Sequence, residues 1–212
     1  MVALYPNLRA GNRTIHEVWR STHDNRIITP PFISLKDPAM AVAELKACMA
    51  EDDLRLIQIS TGPAIDESPF RPELDEFWSI CNEAGINLCN HLANVTFYGR
   101  DGEKWSEPEA ILGDMTAFQW VMYYGDRPAY ETAAAAILQG FFNRFPNIKF
   151  LLSEQGTVWV PYFVRKMDHA FLMGRRATWG RLEMRPSEYF RRHIVVAPFP
   201  EENVDRVIEA VG

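Results

Sequence analysis

Apolar residues along this chain fall in short runs that alternate with stripes at helical spacing. Ile148 to Leu152 is one such run, with the composition of a strand buried on both faces, and it stops abruptly at Ser153-Glu154-Gln155-Gly156. An amphipathic helix follows, with Val160, Phe163, Val164, Met167 and Phe171 on one face. The same alternation runs through the rest of the chain. Val2 to Pro6 reads as a strand, and about Gly11 to Asp24 as a helical segment. Ile27 to Ile33 is a strand weakened by Pro30 and Pro31, since proline cannot donate to a ladder. Asp37 and Pro38 supply an N-cap and a first helical position, with Val42, Leu45 and Met49 as the buried stripe. Leu54 to Ser60 is the next strand, and Leu74, Phe77, Trp78 and Cys81 line a helix that ends at Gly85, where a left-handed cap is wanted. Ile86 to Cys89 is a strand terminating in Asn90-His91.

Beyond His91 the pattern changes before it resumes. Asp126 and Pro128 open an alanine-rich helix running to about Arg144, and Pro186-Ser187-Glu188 starts a short one. His193 to Ala197 is a sixth strand, and Glu201 to Val211 a last helix with Val204, Val207, Ile208 and Val211 facing inward. Six strands alternating with helices predict an α/β fold with a parallel sheet. A dinucleotide-binding sheet needs a glycine-rich turn after a strand; none is present, which favours a barrel.

Composition narrows the class. With 212 residues, 47% of them hydrophobic, and no Gly/Ser-rich or charged linker, residues 1–212 read as a single domain. The net charge of −6 and the lack of an aromatic-basic stripe argue against a nucleic-acid partner. No apolar run approaches the roughly 20 residues that span a bilayer, so no membrane partner is expected. The start of the chain lacks the layout of a signal peptide, which points to a cytoplasmic protein. Cys48, Cys81 and Cys89 are odd in number and lie in apolar surroundings, as reduced core thiols do.

Candidate chemistry gathers at strand ends. His91 follows one predicted strand and Glu154 another, and an imidazole nitrogen with a carboxylate oxygen suits zinc, manganese or iron. Each has a plainer reading: His91 as a satisfied core histidine, Glu154 as an acid favoured by the dipole of the next helix. His16 and His23 lie seven apart on one face and read as a solvated pair. Residues 91–127 are too long for a simple connection and too aromatic for disorder. They read equally as a pocket wall, with Phe97, Tyr98, Trp120 and Tyr123 as candidates against a substrate, or as a partner-docking surface. No Ser-His-Asp or Cys-His arrangement has local support.

Three segments carry a resemblance. Phe142 to Pro161, which contains Asn147-Ile148-Lys149-Phe150-Leu151-Leu152-Ser153-Glu154-Gln155-Gly156, is similar to the signature region of the amidohydrolase-related metal-dependent hydrolases. These include aminocarboxymuconate-semialdehyde decarboxylase and related non-oxidative decarboxylases. Phe77 to Ile86, leading to His91, resembles that family's helix and metal-binding fifth strand, and Arg185 to Arg192 the segment before its seventh. The resemblance implies an incomplete TIM (β/α)8-type barrel, with strands two to seven present and the first and eighth missing. His91 matches the fifth-strand metal histidine. Glu154 falls at the sixth-strand position, which is histidine in the decarboxylases and glutamate in a subset of relatives. The family's His-x-His or Glu-x-His motif on strand one and its catalytic aspartate on strand eight have no counterpart, so no catalytic residue is assigned.

The resemblance further implies a divalent metal, zinc before manganese or iron, and metal-assisted hydrolysis of a small carboxylated or aromatic substrate. The alternatives are a non-oxidative carboxy-lyase and a non-catalytic barrel remnant acting as a binding module. A partial barrel leaves sheet edges at Val2–Tyr5 and His193–Ala197, which predicts self-association into a homo-oligomer. With two ligands only, it also predicts weak metal binding.

Overall fold

A computed structural model describes residues 3–19, 27–51, 54–60, 62–63, 67–92, 102–109, 111, 113–123, 126–174 and 182–211. Its centre is a parallel sheet of four strands in the order β1-β2-β3-β4: β1 (Leu56–Ser60), β2 (Asn87–His91), β3 (Phe150–Ser153) and β4 (Ile194–Val196). Phe32 adds a single parallel bridge to Gln58 on the free edge of β1. Expected strands at 54–60, 86–89, 148–152 and 193–197 are therefore present within a residue or two. The proline-weakened 27–33 segment pairs at one residue only.

Alternation along each strand sorts its side chains onto two faces. Ile57, Ile59, Leu88, Phe150 and Leu152 point to the covered face and are buried at 2% exposure or less. Leu56, Gln58, Ser60, His91, Leu151 and Ser153 point to the other face and are only half-buried, and Val195 beside them is exposed. The stretch around Leu151 is thus buried on one face, not on both as its composition suggested.

The helices are α1 (Leu4–Trp19), α2 (Pro38–Glu51), α3 (Asp75–Ala84), α4 (Ala117–Tyr123), α5 (Asp126–Leu138), α6 (Phe141–Arg144), α7 (Val160–Met173), α8 (Pro186–His193) and α9 (Val204–Val211), and α2, α3 and α5 to α9 contribute to the core on the first face. The core beneath them is dominated by rings. Phe141 packs 4.8 Å from Phe70, 5.1 Å from Trp78 and 5.6 Å from Phe150 between ring centres. Offset and edge-on pairs at such distances add about 0.5–1.5 kcal/mol each to the burial of their area. On α5, Ala129, Ala133 and Ala136 are fully buried, and their small side chains allow close packing.

Local signals behave as their physics requires at two helix ends. The Asp37 carboxylate accepts the Met40 amide at 3.0 Å, a working N-cap for α2. Gly85 closes α3 in the left-handed region at φ 68°.

Three expectations are corrected. Leu4 and Tyr5 begin a helix, not a strand: Leu4, Tyr5, Leu8, Asn12 and His16 form the more buried side of α1 at helical spacing. Pro6 lies in its first turn, where a missing N–H breaks no bond. The alanine-rich helix does not continue to Arg144, because Gly140 at φ 72° separates α5 from α6. On α9 only Val207 is buried among the described apolar side chains, while Val204 and Ile208 are exposed.

The edge that replaces Val2–Tyr5 is the 31–33 segment, and it is not bare. Asn12 accepts the Phe32 amide at 2.9 Å and donates to the Phe32 carbonyl at 3.1 Å, as a neighbouring strand would. The Asn12 side-chain amide also donates to Glu44, which is itself paired with Arg9 at 2.8 Å.

Candidate metal centre

Parallel strands deliver their C-terminal ends to one rim, and registration decides which residues meet there. Ser60, His91 and Ser153 are register partners across β1, β2 and β3, so they form one polar row on the half-buried face. Glu154 follows immediately, with φ 57°, a left-handed backbone that a non-glycine residue adopts only at a cost. Its carboxylate lies over the end of the neighbouring strand β2. Glu154 Oε2 lies 3.0 Å from His91 Nε2, and both side chains remain open, at 55% and 42% exposure.

The other ring nitrogen, His91 Nδ1, lies 3.1 Å from the Leu92 carbonyl. Both nitrogens thus face an oxygen, and a neutral imidazole carries only one proton to give. An Nδ1–H held by a backbone carbonyl leaves Nε2 as the free ligand, a common arrangement at metal-bound histidines. As a nitrogen-plus-oxygen donor pair, these two residues fit the divalent metal that the resemblance implies. Among the described residues no group of three or more His, Cys, Asp or Glu side chains converges to hold a metal. Cys89 lies on the same face as His91, and burial raises its thiol above the ordinary value. Cys81 is pushed up to about 12 by burial. Cys48 is raised to about 11, first by burial and then by Glu44 and Glu51.

The loop carrying Glu154 is fixed from three sides. Gln155, 2% exposed, donates its Nε2 to the Asn90 carbonyl at 2.7 Å. Trp159 Nε1 donates to the carbonyls of Gln155 and Gly156 at 3.2 and 3.0 Å. From beyond β4, Glu202 accepts the Thr157 amide at 2.8 Å and the Thr157 hydroxyl at 2.6 Å. Burial alone would raise the Glu202 carboxyl, but bonds from Thr157, Phe199 and Val158 outweigh it and hold the group below its ordinary value. Gly156, at φ 63°, is required here: a Cβ would sit 2.6 Å from Glu202 Oε1 and 2.9 Å from Phe199 Cε2.

Two neighbours of the pair break a rule of protein interiors. Asn90 is fully buried on the covered face beside Ile59 and Leu152, and neither of its amide atoms has a hydrogen-bond partner among the described residues. Gln155 Oε1 is likewise unpartnered. Each such atom costs about 1–3 kcal/mol. A polar residue two positions after Leu88 was the available sequence signal for Asn90. Gln155 and Glu202 carried none, because their partners lie 65 and 45 residues away.

Of the other expected site residues, Trp120 lies on α4 and is 58% exposed, and Tyr123 ends the same helix. Phe97, Tyr98 and His23 fall outside the described residues. His16 is half-buried and lines a cavity of about 330 Å³ with Arg9, Arg13, Glu44 and Arg55. That cavity adjoins the N-terminal end of β1, remote from the rim where His91 and Glu154 meet.

Residues 4–212 match the family model described as Amidohydrolase. No curated protein matches the chain in sequence. Among solved structures it is similar to an amidohydrolase from Mycobacterium avium subsp. paratuberculosis K-10, with 25% identity and a TM-score of 0.81, over 97% of this chain and 51% of that one. It also resembles 5-carboxyvanillate decarboxylase from Sphingomonas paucimobilis, with 20% identity and a TM-score of 0.75, over 98% and 59%. A third similar structure is a dihydroxybenzoic acid decarboxylase from Polaromonas sp. JS666 with bound manganese and the inhibitor 2-nitroresorcinol. Its identity is 17% and its TM-score 0.67, over 98% of this chain and 60% of that one. The chain thus spans between half and two thirds of these relatives' length.

Proposed function

This chain belongs to the amidohydrolase family, and from that premise we propose that His91 and Glu154 are two ligands of a divalent metal ion in a metal-dependent enzyme. The observation that carries the reading is the 3.0 Å approach of His91 Nε2 to Glu154 Oε2 at the C-terminal rim of adjacent parallel strands. In (β/α) barrels that rim is where chemistry is done. The strands of His91 and Glu154 take the fifth and sixth barrel positions, which makes the 31–33 segment the third and β4 the seventh. When bound, a metal of this kind polarises a substrate oxygen or lowers the pKa of a bound water. His91 and Glu154 anchor it, and Ser60 and Ser153 present hydroxyls on either side of His91 toward the same open face. Trp120 and Tyr123, with Phe97 and Tyr98, remain candidates for the wall against an aromatic substrate.

The substrate class is a small carboxylated or aromatic molecule, and the reaction is metal-assisted hydrolysis. A non-oxidative decarboxylation is the second reading, favoured by the two similar structures whose names are decarboxylases and by the manganese in one of them. Manganese therefore stands beside zinc as the metal to test. The pair's carboxylate member makes the centre less positive than a histidine pair would, which weakens electrostatic capture of an anionic substrate and favours hydrolysis.

Calorimetric titration with Mn²⁺ and with Zn²⁺ tests the ligand assignment. Wild-type protein binds, while His91→Ala and Glu154→Gln each lose about 10-fold or more, the order expected when one ligand of a small set is removed. Binding unchanged in both variants would defeat the assignment. Product analysis with a hydroxybenzoate-type acid, reading carbon dioxide against a hydrolysed product, then separates the two reactions.

A further inference from the structure

Asn90 and Gln155 stand immediately before His91 and immediately after Glu154. They are linked: Gln155 Nε2 donates to the Asn90 carbonyl at 2.7 Å, so one hydrogen bond joins the two strand ends that bear the pair. Both side chains are almost wholly buried, Asn90 at 0% and Gln155 at 2% exposure. Their unpartnered atoms are Asn90 Oδ1 and Nδ2 and Gln155 Oε1.

Stability does not explain this choice. The residues in register with Asn90 are Ile59 and Leu152, which fill the same layer with apolar atoms and leave nothing unpaired. Leucine at 90 would do the same. Unpaired buried amides are rare in native proteins and concentrate where function outweighs packing. Here they lie next in sequence to the two residues whose separation matters most.

We propose that Gln155 is a positioning residue: its buried side-chain amide, bonded to the Asn90 backbone carbonyl, is a strut that sets the separation and orientation of His91 and Glu154. The proposal rests on the metal-ligand reading for its purpose, and the strut itself is readable without metal. Gln155 holds the peptide carbonyl at the root of His91, and its own backbone continues directly from the left-handed turn at Glu154. The Trp159 indole grips the Gln155 carbonyl from the far side, so the strut is held at both ends. With the strut cut, β2 and β3 keep their ladder but the two side chains lose their common frame.

The test uses Gln155→Met and the double variant Asn90→Leu/Gln155→Met, each in the full 212-residue chain. Gln155→Met lowers the melting temperature, because it frees the Asn90 carbonyl without removing the Asn90 amide. The double variant regains part of that loss, because the unpartnered Asn90 side-chain amide is gone. In its metal-free form the His91 ring is then placed against the Glu154 side chain by nuclear Overhauser contacts, compared with wild type. The strut predicts loss of that contact in the folded double variant, and Mn²⁺ binding about 10–100-fold weaker than wild type, the range seen when outer partners of metal ligands are removed. A folded double variant with a wild-type His91–Glu154 contact overturns the proposal. Absence of Mn²⁺ binding in wild type overturns the metal reading and leaves that contact to judge the strut. If neither apolar variant folds, Trp159→Phe takes their place: it removes the indole N–H that holds the Gln155 carbonyl, and an unchanged His91–Glu154 contact there overturns the strut.

Discussion

At the scale of single residues, backbone conformation and protonation make the sharpest predictions. Gly156 adopts a left-handed φ and has no room for a methyl group against Glu202 and Phe199. Gly156→Ala is therefore strained twice, and a loss of about 1–2 kcal/mol from the backbone alone is expected. In a protein of this size that lowers the melting temperature by about 2–8 °C, to be read by calorimetry. His193 is packed 4.2 Å from the Phe142 ring, and its Nδ1 lies 3.0 Å from the Ile148 carbonyl. Burial holds its pKa below the ordinary value, the bond to Ile148 offsets part of this, and Arg192 and Lys149 lower it further. The unfolded chain thus takes up the proton first. Stability is complete above the unfolded value of about 6.5 and falls as pH drops from there through the folded value. Urea midpoints should decline from about pH 7.5 to about pH 5.5 in wild type, and less so in His193→Gln. Equal declines would place the titration elsewhere.

Elements obey their caps and stripes where these are local. Asp37→Ala removes the α2 N-cap and should cost about 1 kcal/mol, measured by urea denaturation. Trp78, fully buried and donating its indole N–H to the Pro69 carbonyl at 2.8 Å, ties α3 to the loop before it. Trp78→Ala should cost about 3–5 kcal/mol, enough to leave a domain of ordinary stability marginal. A loss below about 1 kcal/mol in the same assay would mean that the ring cluster repacks around the cavity.

The whole molecule raises the matter of its sheet edges. One edge, at Phe32, is occupied by the Asn12 side chain. The other is β4, which ends the sheet and carries the exposed Val195. Edge strands with apolar side chains invite pairing with another chain. Self-association of the 212-residue protein should therefore run through β4, grow with concentration, and be suppressed by Val195→Lys. Light scattering after sizing chromatography tests this, and a monodisperse wild-type monomer at every concentration would refute it. If the proposed His91 and Glu154 are its ligands, metal binding by this chain should be weak, and tight stoichiometric zinc would point to further ligands.

Much of this protein was determined locally. Parallel α/β layering, four of the strands, the Asp37 and Gly85 caps and the stripes of α3 and α7 come from composition and spacing, because each depends on residues within a few positions of one another. The placing of His91 and Glu154 at strand ends was legible for the same reason. Other features required long-range contacts. Tyr5 reads as strand in isolation, and the packing of Asn12 against Phe32 and Glu44, across 20 and 32 residues, accompanies the helix it adopts. That Glu154 meets His91 depends on strand register and on a left-handed residue, neither of which is written in hydrophobic periodicity. The Asn90–Gln155 bond and the grip of Glu202 on Thr157 join positions 65 and 45 residues apart. Such pairings are specified only once the chain has packed, since a hydrogen bond's partner is set by proximity in space and not along the sequence.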